Sequence, residues 1–110
     1  MKNSHAVEAL AALANEHRLA IYRLLVQAGA EGRAAGAIAE KLGLPASSLS
    51  FHLAHLTRAG LIEQRRESRS LIYSADFDAM NGLVGFLTEN CCGGASCAPG
   101  VQTSKKRKAS

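Results

Sequence analysis

Ile38-Ala39-Glu40-Lys41-Leu42-Gly43-Leu44-Pro45-Ala46-Ser47-Ser48-Leu49-Ser50-Phe51-His52-Leu53-Ala54-His55-Leu56 is the stretch whose pattern decides the fold. Ala37, Ile38, Ala39 and Leu42 follow helical spacing and predict a short helix. Gly43-Leu44-Pro45 ends it. Proline lacks a backbone donor and clashes inside a helix, and glycine accepts the left-handed conformation of a C-cap. Another helix starts after Pro45, with Leu49, Leu53 and Leu56 spaced four and three apart on its apolar side. Ser47, Ser48, Ser50, His52 and His55 are expected on its opposite, polar side, and Gly60 stops it. Two helices joined by a short glycine-containing turn, the second with a polar outer face, make a helix-turn-helix.

Working outward, residues 61–66 and 70–75 read as two strands joined through Glu67-Ser68-Arg69, a hairpin that forms a wing. The last helix is expected over 76–90, with Asp76 as its N-cap. Its stripe of Phe77, Met80, Leu83, Val84 and Leu87 has helical spacing. On the other side, residues 5–14 form a short amphipathic helix, and a second helix runs from Glu16 to a stop at Gly29. Residues 30–35 are expected to be a polar connection. The predicted class is therefore mainly α with a β-hairpin wing: a winged helix-turn-helix. It divides into a folded domain over 1–90 and a segment over 91–110 that is rich in glycine and then basic.

Composition narrows the function. A chain of 110 residues supports one domain, and 47% hydrophobic residues are enough for a core. Apolar stretches are short and interrupted by Arg, Glu or His, so no membrane span is expected. Met1-Lys2-Asn3-Ser4-His5 leads straight into a helix containing Glu8, unlike a signal peptide, so a cytoplasmic location is expected. The net charge of +4 comes from Lys105, Lys106, Arg107 and Lys108, because nine basic residues face nine acidic ones elsewhere. Locally, residues 46–75 carry Arg58, Arg65, Arg66 and Arg69 against Glu63 and Glu67. No nucleophile–base pair, paired carboxylates or phosphate-binding loop supports catalysis, so no enzyme activity is expected.

The runs His17-Arg18-Leu19-Ala20-Ile21-Tyr22-Arg23-Leu24-Leu25, Ile38 to Leu44, Ser47 to Leu56 and Ala59-Gly60-Leu61-Ile62, followed by the Arg-rich wing, resemble the ArsR family of metal-responsive repressors. The resemblance covers roughly residues 13–78. It implies a homodimer built through the terminal helices, a recognition helix in the major groove of double-stranded operator DNA, and derepression by metal. Many members carry a Cys-x-Cys pair in the third helix, but Gly32-Arg33-Ala34-Ala35-Gly36-Ala37-Ile38-Ala39 contains no sulfur. A zinc site on the last helix is also unsupported, because no histidine follows His55. What remains is Cys91-Cys92-Gly93-Gly94-Ala95-Ser96-Cys97, which resembles the C-terminal three-cysteine site of a minority of arsenic-responsive members.

These patterns name two candidate sites. For DNA, Ser47, Ser48, Ser50 and His52 are short or flat donors on the recognition helix, and Arg65, Arg66 and Arg69 cluster on the wing. The competing readings are a serine cap on a solvated helix and a charged edge that discourages aggregation. Phe51 can either touch a thymine methyl or pack under the wing, and packing is expected. For metal, Cys91, Cys92 and Cys97 are soft thiolate donors suited to As(III) or Sb(III), which take three sulfurs in a pyramid. Adjacent cysteines point about 100° apart on a helix, so the helix has to end for both to converge. Asn90 and Gly93-Gly94 allow that. A tetrahedral zinc site lacks a fourth ligand. A thiol redox sensor, a soft-metal carrier and an inert tail remain alternatives, as do a solvated and a phosphate-touching basic tail.

Overall fold

Asn15 starts the second helix: its side chain accepts hydrogen bonds from the backbone N–H groups of His17 and Arg18. The computed structural model describes residues 1–94, which contain five α-helices and three strands. The helices are α1 (Asn3–Leu13), α2 (Glu16–Ala28), α3 (Ala35–Leu42), α4 (Ala46–Arg58) and α5 (Phe77–Leu87). The strands are β1 (Arg33–Ala34), β2 (Ile62–Glu67) and β3 (Ser70–Ala75). Short 3-10 turns follow α2 at Gly29–Glu31 and α5 at Cys91–Gly94. Cys97 and the basic tail from Lys105 to Lys108 lie outside the described residues. Among the described residues, no helix is long and apolar enough to cross a membrane.

The stops expected from glycine are in place. Gly43 closes α3 in the left-handed conformation at φ 65°, and Gly29 follows α2 at φ 73°. Asp76 caps α5 by accepting from the Ala79 N–H at 3.0 Å. Two boundaries differ from expectation. First, α5 ends at Leu87 and not at 90: the Thr88 hydroxyl bonds back to the Val84 carbonyl, and Asn90 turns the chain at φ 59°. Second, the connection over 30–35 is structured. It holds a 3-10 turn and then β1, which pairs antiparallel with β3 through Arg33–Tyr73 and Ala34–Ile72. The sheet order is β1-β3-β2.

Ile21 and Leu25 of α2, Ile38 of α3, Leu56 of α4 and Leu61 at the root of the wing are the largest fully buried side chains. They tie the helix-turn-helix to the sheet. Three alanines, Ala6, Ala9 and Ala12, form the buried side of α1, and Leu83 is the buried residue of α5. Cross-strand pairing sorts the wing into two faces. Ile62, Gln64 and Arg66 share one face with Ala75, Tyr73 and Leu71, and the buried Ile62, Tyr73 and Ala75 turn that face toward the core. Glu63, Arg65 and Glu67 share the other face with Ser74, Ile72 and Ser70.

Gly32 is the tightest backbone position. It is buried at φ 71°, and a Cβ there would overlap the carbonyl oxygen of Tyr73 and press on Ile72 Cγ2. A Gly32→Ala substitution is expected to force β1 off β3 and to destabilise the fold by ~2 kcal/mol or more. A urea titration checks this, and an unchanged midpoint would contradict the close approach.

Candidate nucleic-acid interface

α4 begins without help from its serines. The cap position is Pro45, in extended backbone at φ −61° and ψ 148°, and no side chain caps the helix. Ser47, Ser50, Phe51 and Ala54 are exposed on α4, with Ser48 half-buried beside them. A shallow groove separates this side of α4 from the sheet, lined by Ser50, Ala54, Thr57 and Arg58 of α4 and by Gln64 and Tyr73. Arg66 shares a strand face with Gln64, and Arg69 stands in the two-residue turn, where Ser68 takes φ 57°. From Ala46 to Thr57, α4 carries no acidic residue. The wing's two carboxylates, Glu63 and Glu67, alternate onto the face opposite Arg66. Strand alternation thus sorts charge, leaving serine hydroxyls, Arg58, Gln64 and Arg66 together on the α4 side.

Three sequence expectations are corrected. His52, expected on the polar outer side, is buried at 9% exposure, because Leu49, His52, Leu53 and Leu56 share one stripe of α4. Arg65, expected with the tip arginines, lies on the opposite face and is occupied. Its guanidinium donates to the carbonyls of Ala30 and Glu31 and, at 2.8 Å, to the carboxylate of Glu67. It fastens the wing to the 3-10 turn after α2. Phe51, expected under the wing, is 62% exposed.

Arg18 has a part that sequence inspection missed. Its Nε donates to the Ala12 carbonyl at 2.6 Å, and its Nη1 lies 3.4 Å from His52 Nδ1. Arginine has only donors, so Nδ1 has to accept and the His52 proton sits on Nε2. The His17 ring stacks at a tilt on His52, with centroids 5.7 Å apart. Arg18 therefore links the end of α1 to the back of α4. Burial lowers the His52 pKa, and the nearby charges of Arg18, His17 and His55 lower it further.

Of the cysteines, Cys91 is half-buried and opens the 3-10 turn, its N–H donating to the Thr88 carbonyl at 3.0 Å. Cys92 follows in the same turn. Asn90 and Gly93 take the left-handed conformation at φ 59° and 67°. The apolar stripe of α5 is divided. Leu83 is buried and Phe77 and Met80 are partly buried, but Val84 and Leu87 are exposed, as are Val7 and Leu10 of α1.

A helix-turn-helix domain family matches residues 13–65. The nodulation protein NolR of Rhizobium meliloti is 40% identical over 80 residues, which are 73% of this chain and 63% of that protein, a little under two thirds of its length. The HTH-type transcriptional regulator YgaV of Escherichia coli K12 is 33% identical over 87 residues, 79% of this chain and 86% of that relative. Among solved structures, the homodimeric winged helix-turn-helix DNA-binding domain of Mb0332 from Mycobacterium bovis, a possible ArsR-family transcriptional regulator, superposes with a TM-score of 0.64. The identity is 32%, covering 79% of this chain and 81% of that one.

The His52 geometry makes stability depend on pH. Protonation would turn the Nδ1 acceptor into a donor aimed at the Arg18 guanidinium. Burial first, and then the charges of Arg18, His17 and His55, hold the folded-state pKa below the ordinary imidazole value of about 6.5. As pH falls through that value, the unfolded chain binds more protons than the folded one, so stability is present above it and declines below it. His52→Gln keeps an acceptor and removes the titration. Urea midpoints at pH 7.5 and 5.5 should differ less for this variant than for the wild type, and an equal loss would remove the role assigned to His52.

Proposed function

The chain belongs to the ArsR family of winged helix-turn-helix transcriptional regulators, and on that premise we propose that it is a homodimeric repressor. It holds operator DNA until Cys91, Cys92 and Cys97 capture As(III) or Sb(III). The observation that carries the DNA half is the sorting of charge around α4: exposed serines on the helix, Arg58, Gln64 and Arg66 beside it, and the wing carboxylates on the other face. In the proposed complex α4 enters the major groove. Ser47, Ser48 and Ser50 meet phosphates and base edges, and Arg66 and Arg69 hold the flanking backbone. His52 and Arg65 work from behind, one bracing α4 through Arg18 and the other fixing the wing to the 3-10 turn.

The exposed Val7, Leu10, Val84 and Leu87 support a dimer through α1 and α5. Two copies of α4 would then lie about one DNA turn apart, roughly 34–36 Å. For the inducer, three thiols match the trigonal sulfur preference of As(III), and the break expected near Asn90 lies immediately before Cys91. Thiols have to lose protons to bind, so capture weakens as pH falls. Drawing Cys91 and Cys92 toward Cys97 would re-form the turn at the foot of α5 and alter the dimer that sets the spacing of the recognition helices. A coupling of about 1–3 kcal/mol, roughly 5–150-fold in affinity, is the usual scale of such a switch.

Removing one phosphate contact with Arg66→Ala should weaken binding to all duplexes alike and lower the salt slope by about one unit, read by anisotropy across a salt series. Unchanged affinity and slope would withdraw Arg66 from the interface. Cys91→Ser and Cys97→Ser should each bind DNA as the wild type does and fail to release it with anaerobic arsenite. X-ray absorption of the arsenite complex should show three sulfurs. Release by peroxide but not by arsenite would instead assign the cysteines to redox sensing, and a nitrogen or oxygen in the arsenic shell would refute the three-cysteine site.

A further inference from the structure

Phe51 is the most exposed large hydrophobic side chain among the described residues. Met1, Val7, Leu10, Val84 and Leu87, the other exposed ones apart from Leu19, belong to the N-terminus, α1 or α5. Phe51 stands on α4, one turn after Ser47 and Ser48 and one turn before Ala54 and His55. Its ring is held edge-on by neighbours on its own helix: His52 at 5.7 Å and 66°, and His55 at 6.5 Å and 77°. Those contacts orient the ring and leave most of it in solvent.

The rest of α4 is short of base-reading side chains. Between Ala46 and Thr57 there is no Arg, Lys, Asn, Gln, Asp or Glu. The bidentate pairings that distinguish guanine, adenine and cytosine in the major groove are therefore missing from the first three turns of α4. Serine hydroxyls donate and accept, so they suit any base edge. The largest exposed apolar surface there is the Phe51 ring, far larger than the methyl groups of Ala54 and Thr57, and the apolar group a base pair presents in the major groove is the C5-methyl of thymine.

We propose that Phe51 sets the sequence preference of the DNA interface by packing its exposed ring on the C5-methyl group of a thymine in each half-site, with the serines of α4 making base-tolerant contacts around it. This inference rests on the DNA-binding reading above and adds the base that is read. Burying one methyl group is worth ~0.8 kcal/mol, which converts to about fourfold in affinity.

The test uses the full chain. Duplexes are selected from a random pool, and each thymine of the selected site is replaced in turn by deoxyuridine, which removes the methyl and keeps the hydrogen-bonding edge. Wild-type binding should weaken about fourfold at one or two thymines per half-site and not at the others. Phe51→Ala should fold with the wild-type melting temperature, because the ring is exposed. It should bind the thymine duplex more weakly and show no further loss with deoxyuridine. Phe51→Leu, still apolar, should recover part of the thymine preference. The inference is overturned if the wild type selects a site but tolerates deoxyuridine at every position, or if Phe51→Ala stays as sensitive to it as the wild type. If the wild type selects no duplex and binds none at low salt, the DNA-binding reading fails and the role of Phe51 goes with it.

Discussion

Ile38, Leu56 and Leu61 meet Ile21 and Leu25 of α2 in the core, and the rest of the structure depends on that meeting. These side chains come from the first helix of the helix-turn-helix, from the second and from the root of the wing. Their mutual burial fixes the positions of three elements at once. Losing one such aliphatic side chain from a close-packed interior typically costs 2–5 kcal/mol, a large share of what holds a small domain together. Leu61 also anchors both ends of the wing. Its N–H donates to the Leu56 carbonyl at 3.1 Å, and its own carbonyl accepts from Asp76 at 2.9 Å. The hairpin leaves α4 and returns to α5 at one residue, so recognition helix, wing and α5 share a single point of attachment.

Around that point five arginines fall into two groups. Arg18 and Arg65 are spent on backbone carbonyls, the first at the end of α1 and the second at the 3-10 turn after α2. The exposed ion pair of Arg65 with Glu67 and the long contact of Arg18 with His52 contribute modestly to stability, since charges near water are screened. What they supply is position: Arg18 reaches the hidden side of α4 through His52, and Arg65 keeps the wing from swinging about its root. Among the described residues, Arg58, Arg66 and Arg69 make no hydrogen bond or ion pair of that kind to fix the fold, and all three are exposed on the α4 side or in the wing turn. A regulator that has to present a fixed helix and a fixed wing to a rigid duplex benefits from this division, because a preorganised surface loses less entropy on binding.

Position also gives the proposed capture at the C-terminal end a path to α4. The cysteine turn follows α5, α5 packs on α1, and the end of α1 is bonded to Arg18, which touches His52 on α4. The same two helices carry the exposed apolar side chains. A change at the foot of α5 would therefore have two physical routes to the recognition helix, one through the proposed dimer and one through the Arg18 contact within the subunit.

Periodicity alone determined most of the architecture. Helical spacing, the stops at Gly29 and Gly43 and the Asp76 cap placed the five helices to within a few residues, and the two long strands with their turn were equally plain. These are local effects, set by backbone conformation and by side chains one turn away. The position of His52 was also within reach, since Leu49, His52, Leu53 and Leu56 form one stripe; it was misplaced by sorting residues by polarity and not by angle. The opposite faces of Arg65 and Arg66 follow from strand alternation in the same way. β1 was not legible, because two residues have no period and become a strand only when Gly32 allows them to dock on β3. Nor could the sequence say which wing face looks toward α4, or that no side chain closes over Phe51. Those outcomes depend on which surfaces the buried core brings together across long stretches of chain, and only the packed tertiary structure decides that.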